Sequence, residues 1–176
     1  IGTGGNSEAG HLHIGAGRVV LSDRERIDRS IEDGSFFENA AFTWAMEGAK
    51  QDRKNLHLLG IVSFYSSHGS LNHLFALMDM AKQQGIPHLY VHSMLGRRGE
   101  RPESGAHYIR SVEEKARQLG LGQVVSVIGR KWAMDREENW DGVELRWLIA
   151  DQFSRVVLAD AKRVLKRRRD YLNECR

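Results

Sequence analysis

Three short segments of this chain are rich in basic and polar side chains, and each follows a predicted β-strand. They span residues 63–70, 93–103 and 129–139, and their basic members are His68, Arg97, Arg98, Arg101, Arg130, Lys131 and Arg136. The guanidinium group of arginine offers forked N–H donors that match a carboxylate or a phosphate. Because the carboxyl ends of parallel strands meet at one edge of a sheet, these segments would share one rim. The pattern indicates a site for a small anion, although solvated loop arginines would give the same composition.

A second candidate for chemistry is Ser7, which lies in a glycine-rich amino-terminal segment. A serine hydroxyl is a weak nucleophile until a base or a metal ion activates it. The same side chain could instead cap a helix after the glycine turn. We expect residues 2–17 to form a loop with one short helical turn at most.

Hydrophobic periodicity predicts the elements that position these residues. Helical spacing predicts helices over residues 22–33, 38–52, 71–84, 104–119 and 140–172. Short apolar runs predict strands over residues 55–63, 88–92 and 124–128. This alternation predicts an α/β fold with a mostly parallel sheet, flanked by helices in three layers, and a long carboxyl-terminal helix.

Composition excludes several classes of protein. The hydrophobic fraction of 41% is enough for a core, and the single cysteine, Cys175, excludes a disulfide framework and any all-cysteine metal site. No apolar run approaches the roughly 18 residues that span a bilayer. The amino terminus lacks the basic start and apolar stretch of a secretory signal. We therefore expect a soluble, cytoplasmic protein without membrane contacts.

The net charge of +3 is concentrated at one end of the chain. Residues 161–176 carry seven lysines and arginines against Asp170 and Glu174, so the rest of the chain is slightly acidic. Such a run could bind nucleic acid or an acidic partner. The run lacks the interleaved aromatic residues on which bases stack, which argues against nucleic acid. The simpler interpretation is a solvated helix whose cations complement the helix dipole.

Several motifs, taken in order, resemble those of the cofactor-independent phosphoglycerate mutases. The matching segments are Gly5–Arg18, Ile31–Phe37, His73–Leu77, Tyr90–His92, Ser126–Arg130 and Ala133–Arg136. The resemblance extends from Gly5 to about Glu144. It implies a glycolytic isomerase that interconverts 3-phosphoglycerate and 2-phosphoglycerate through a phosphoserine. It also implies two divalent cations, usually Mn²⁺ (or Mg²⁺).

The resemblance assigns roles to individual residues. It implies that Ser7 is the nucleophile that accepts the phosphoryl group and is also a metal ligand. His68 matches a substrate-binding histidine, and Arg98 matches the arginine that follows the second strand. Arg130 and Arg136 match the pair after the third strand. These four side chains would hold the carboxylate and hydroxyls of the glycerate while the metal ions hold the phosphate.

Simpler roles stay open for two of these residues. His68 could be a polar residue of a surface loop. Arg136 could pair with Asp135 or Glu137 in place of a substrate. The eight histidines of the chain are spread over different elements, which argues against a metal site built from them alone.

The sequence also departs from the family pattern. Residues 63–70 lack the aspartate, the glycine pair and the second histidine of the family's first loop, and Gly96–Gly99 lacks both carboxylates of the second. Most of the family's metal ligands have no counterpart. We predict a serine-motif segment over 1–20, a phosphotransferase-like domain over 21–144, and a basic helix over 145–176 packed on that domain.

Two hypotheses follow from this comparison. In the first, the chain is the substrate-binding transferase part of a phosphoglycerate mutase, and another chain with the phosphatase domain completes the enzyme. In the second, the chain is a non-catalytic module derived from that domain, whose basic helix docks a partner or a second copy as a homodimer.

Overall fold

The computed structural model describes residues 7–64, 69–96, 104–129 and 133, with side chains from residue 10 onward. In chain order the elements are α1 (Ser7–Ala16), α2 (Asp23–Asp33), a 3-10 helix (Ser35–Glu38), α3 (Ala40–Gln51), β1 (Leu56–Ile61), α4 (Leu71–Gln83), β2 (Leu89–Leu95), α5 (Ser104–Leu119) and β3 (Gln123–Gly129). The α/β fold and the predicted elements between residues 22 and 129 are thereby confirmed. The predicted helix over 140–172 lies outside the described residues.

The amino-terminal segment differs from its prediction. Residues Ser7–Ala16 form a ten-residue helix where we expected a loop with one short turn at most. Two glycines lie in this helix, and each costs about 1 kcal/mol relative to alanine without forbidding a helix. The imidazole Nε2 of His13 lies 2.7 Å from the carbonyl oxygen of Val20, so the end of α1 is tied to the following chain.

Local signals at both ends define α2. The Ser22 hydroxyl accepts a hydrogen bond from the backbone N–H of Glu25, while the Glu25 carboxylate accepts one from the backbone N–H of Ser22. This reciprocal arrangement is a capping box. Gly34 ends the helix with a φ of +87°, a conformation that glycine adopts without strain.

The three strands form one parallel sheet in the order β1-β2-β3. In the β1–β2 pair, Leu56 lies opposite Leu89 and Ile61 lies opposite Met94. Leu58 and Val91 therefore share one face of the sheet. That face packs into a core with α3, α4 and α5, whose buried members include Met46, Leu71, Met78, Met80, Tyr108 and Val112.

The chain divides into two compact units, Ile1–Val127 and Ile128–Arg176. All described residues except Ile128, Gly129 and Ala133 belong to the first unit. The predicted boundaries at residues 20 and 144 stay predictions. Within the described residues, none of the helices combines the length and the apolar character needed to cross a membrane.

Candidate functional site

The carboxyl ends of β1 and β2 lie side by side. Ile61 is paired with Met94, and the backbone N–H of Val62 donates to the carbonyl oxygen of Met94 at 2.9 Å. Residues 65–68 follow β1 and residues 97–103 follow β2. Both connections therefore leave the sheet from the same edge, where open parallel sheets bind ligands. We call this the carboxyl edge.

Two helices begin at the carboxyl edge. A Cβ atom on Gly69 would lie 2.9 Å from the carbonyl oxygen of Ile61, so the chain entering α4 passes tightly against the end of β1. A Cβ on Gly105, at the start of α5, would lie 3.1 Å from Cδ1 of Leu95 at the end of β2. The amino end of a helix carries a partial positive charge, which stabilises anions. The edge is therefore suited to a negatively charged ligand.

Three buried serines belong to the same region. Ser63 follows β1, Ser93 lies near the end of β2, and Ser70 immediately precedes α4; their exposed fractions are 0%, 1% and 4%. Within the described part of the chain, the hydroxyls of Ser70 and Ser93 have no hydrogen-bond partner. An unsatisfied buried polar group costs about 1–3 kcal/mol. The core near the carboxyl edge therefore contains polar groups whose burial lowers the stability of the fold.

An arginine that the sequence did not single out holds the start of the first loop. Arg24 of α2 donates from Nη2 to the carbonyl oxygen of Phe64 at 2.9 Å, across 40 positions of sequence. Its Nε lies 3.8 Å from the carboxylate of Asp28. The same carboxylate accepts a hydrogen bond from Nε2 of His73 on α4 at 2.7 Å. Helix α2 therefore links the exit of β1 to the first turn of α4.

Phe64 brings an aromatic ring to the start of the first loop. Its ring packs edge-on against Tyr108 of α5, with the ring centroids 5.8 Å apart. This contact packs the start of the first loop against α5.

The side chains of the five predicted site residues lie outside the described part of the chain. Ser7 is the first residue of α1, and its side chain lies outside the described residues. His68, Arg98, Arg130 and Arg136 also lie outside them. The structure brings together the strand ends that precede His68 and Arg98. The contacts of all five side chains stay predictions.

The implied metal site has no counterpart in the described part of the chain. No group of three or more histidine, cysteine, aspartate or glutamate side chains there could hold a metal ion. Stable binding of Mn²⁺ or Mg²⁺ needs several oxygen ligands at once. The described residues therefore do not fit the two-cation site that the resemblance implies.

Comparison with known proteins decides the family. Residues 27–173 match the family model described as the BPG-independent PGAM N-terminus. This chain belongs to that family. The resemblance to the cofactor-independent phosphoglycerate mutases is confirmed over most of the chain.

Individual members of the family extend the match. The chain is 46% identical over 137 residues to the 2,3-bisphosphoglycerate-independent phosphoglycerate mutase of Moorella thermoacetica. This match covers 78% of this chain and 27% of that protein. It is 44% identical over 158 residues to the mutase of Staphylococcus saprophyticus, covering 90% of this chain and 31% of that protein. The chain thus spans less than a third of these relatives.

A solved structure supports the fold. The phosphoglycerate mutase of Leishmania mexicana, crystallised at low cobalt concentration, superposes with a TM-score of 0.69 at 26% sequence identity. The match covers 80% of this chain and 27% of that one. The α/β architecture is therefore that of one part of a phosphoglycerate mutase.

Proposed function

We propose that this chain is the substrate-binding part of a cofactor-independent phosphoglycerate mutase. One observation carries the proposal: in a member of this family, the carboxyl ends of β1 and β2, which precede His68 and Arg98 in the sequence, lie side by side. Helices α4 and α5 begin at that edge, so their dipoles favour an anion there. The substrates would be 3-phosphoglycerate and 2-phosphoglycerate.

In the proposed reaction, the chain holds glycerate while the phosphoryl group changes position. The phosphoryl group passes from one hydroxyl of the substrate to Oγ of Ser7, and then from Ser7 to the other hydroxyl. His68, Arg98, Arg130 and Arg136 bind the carboxylate and hydroxyls, which keeps the glycerate oriented between the two transfers. Forked guanidinium donors suit this task because they fix both position and rotation of a carboxylate.

The described residues do not provide the ligands for the metal ions of the proposed reaction. Two Mn²⁺ or Mg²⁺ ions would supply activation of the serine hydroxyl and neutralise phosphate charge. Since the described residues hold no fitting ligand group, we propose that a phosphatase-type part provides those ligands. The cytoplasmic location expected from the composition stays a prediction.

Titration with 3-phosphoglycerate tests the binding claim directly. We expect amide resonances of residues 63–70, 93–103 and 129–139 to shift at millimolar ligand, because the substrate anion contacts those segments. Arg98→Ala should raise the Kd obtained from these shifts by about tenfold or more, since a hydrogen bond to a charged group contributes about 1.5–3 kcal/mol. Arg110→Ala, which removes an exposed arginine of α5, is the matched control and should leave this Kd unchanged. Wild-type resonances that do not move would exclude the binding site.

A further inference from the structure

A row of three polar side chains crosses the sheet on the face opposite the core. His57 of β1, His92 of β2 and Ser126 of β3 are joined by two hydrogen bonds. Nδ1 of His57 lies 2.9 Å from Nε2 of His92, and Nδ1 of His92 lies 2.8 Å from the hydroxyl of Ser126. All three strands are therefore tied by side chains as well as by their backbones. We call these residues the histidine row.

The histidine row is separate from the carboxyl edge. His57 is the second residue of its strand and lies opposite Tyr90, on the far side of the sheet from Leu58 and Val91. Both imidazoles are half-buried, and Leu59, which shares their face of β1, is 52% exposed. Neither the proposed substrate contacts nor the family resemblance assigns this row a role.

The short N···N distance restricts where protons can sit. Two ring nitrogens at 2.9 Å need one N–H and one lone pair between them. With neutral rings the row is complete in either direction, because the Ser126 hydroxyl can donate or accept. One added proton still leaves a donor facing an acceptor. A second added proton would place two N–H groups face to face, which breaks the link.

The surroundings oppose positive charge on the row. Burial lowers the pKa of His57 below its ordinary value of 6.5. Burial, and then the charge of His57, lower the pKa of His92. The phenol ring of Tyr90 also packs against the row, 5.2 Å from the ring of His57.

We propose that the histidine row is a proton-sensitive link between β1, β2 and β3, which accepts at most one proton while the sheet is folded. The unfolded chain has no such restriction, so its two imidazoles take up two protons. Acidification therefore favours the unfolded state, and the sheet loosens as the row is driven toward its second proton. This proposal is independent of the proposed mutase function.

The direction in which pH changes the stability of the fold follows from the protons bound by the folded and unfolded states. Stability rises with pH wherever the unfolded state binds more protons than the folded state. Because folding lowers the pKa values of both His57 and His92, their contribution to the stability of the fold is present above pH 6.5. It is lost as the pH falls from 6.5 through the lower pKa values of the folded protein.

Urea unfolding of the full chain as a function of pH tests the proposal. The wild-type midpoint should fall as the pH is lowered from about 7.5 to about 5.5, the range in which histidine titrates. In the double variant His57→Gln/His92→Gln, at least half of that fall should disappear, because glutamine keeps polar contacts and does not titrate. His88→Gln, which removes an exposed histidine, should keep the wild-type pH dependence. A double variant with the full wild-type fall would overturn the proposal.

A measurement on the wild-type chain covers the case in which the double variant does not fold. Nitrogen NMR of the imidazoles distinguishes protonated from unprotonated ring nitrogens. We expect one unprotonated nitrogen between His57 and His92, with a scalar coupling across the hydrogen bond, for as long as the protein stays folded. Four protonated ring nitrogens on these two residues in the folded protein would overturn the proposal.

Discussion

Gly122 lies at a point where backbone conformation and packing both require the absence of a side chain. Its φ is +105°, which is outside the range that other residues adopt easily. A Cβ there would lie 3.3 Å from Cε of Met78 and 3.4 Å from Cβ of Ala116. This glycine therefore lets the chain turn from α5 into β3 directly against the core. Its role is structural and lies at the end of the sheet away from the carboxyl edge.

The variant Gly122→Ala should lower the free energy of unfolding by more than about 1 kcal/mol, because alanine is incompatible with this backbone conformation. Gly48 is the matched control, since it lies on the exposed side of α3 and a Cβ atom there would have nothing within 4 Å. Gly48→Ala should raise the free energy of unfolding by about 0.5–1 kcal/mol, as expected for a helix interior. Chemical denaturation measures both. Equal effects of the two substitutions would contradict this account of Gly122.

Helix α2 connects elements that are far apart in sequence through side-chain hydrogen bonds. Its first turn is closed by the capping box of Ser22 and Glu25, and its Arg24 and Asp28 reach the exit of β1 and the side chain of His73. The cap matters beyond the helix because fraying of the first turn would release Arg24 from the carbonyl of Phe64. The order of α2 and the position of the first loop are therefore coupled.

The variant Ser22→Ala should destabilise the chain by about 1 kcal/mol through loss of the cap. It should also increase amide exchange at Phe64, whose carbonyl Arg24 holds. Ser30→Ala is the matched control in the same helix. The Ser30 hydroxyl donates to the carbonyl oxygen of Ile27 within the helix, an interaction that adds little to helix stability. If Ser30→Ala costs as much as Ser22→Ala, the capping interpretation of Ser22 is wrong.

The described part of the molecule has one well-packed face and one half-exposed face. Leu58 and Val91 belong to the face that α3, α4 and α5 enclose, whereas His57 and Leu59 belong to the opposite one. The carboxyl edge lies at the end of this sheet, and the described residues there provide helix termini and buried hydroxyls but no cluster of metal-binding side chains. The proposed function therefore implies that substrate binding and metal-dependent phosphoryl transfer are carried out by different parts of the enzyme.

A coupled mutase assay tests this division. With Mn²⁺ present, the chain alone should show no turnover, because the described residues lack a metal site. Addition of a separate phosphatase-domain chain from a family member should produce turnover. Ser7→Ala should abolish the restored activity, whereas Arg110→Ala, on the exposed side of α5, should retain it. Turnover by the chain alone would refute the division.

Local sequence determined much of the fold. Helical spacing predicted a helix over residues 22–33, and α2 spans Asp23–Asp33, because helical periodicity and the capping of helix ends involve neighbouring residues only. The apolar runs predicted all three strands for the same reason. The segment over 7–16 was misjudged, since glycine content argued for a loop where a helix forms. The family, and with it the candidate residues His68 and Arg98, was also recognisable from motifs alone.

Tertiary structure alone decided which side chains meet. Arg24 reaches Phe64 across 40 positions, and His57 reaches His92 across 35. The second contact depends on strand register, and a slip of one residue would turn either imidazole to the other face of the sheet. Periodicity assigns a residue to an element, but it carries no information on which distant element lies beside it. That pairing is set by burial of the shared core, which is a property of the whole folded chain.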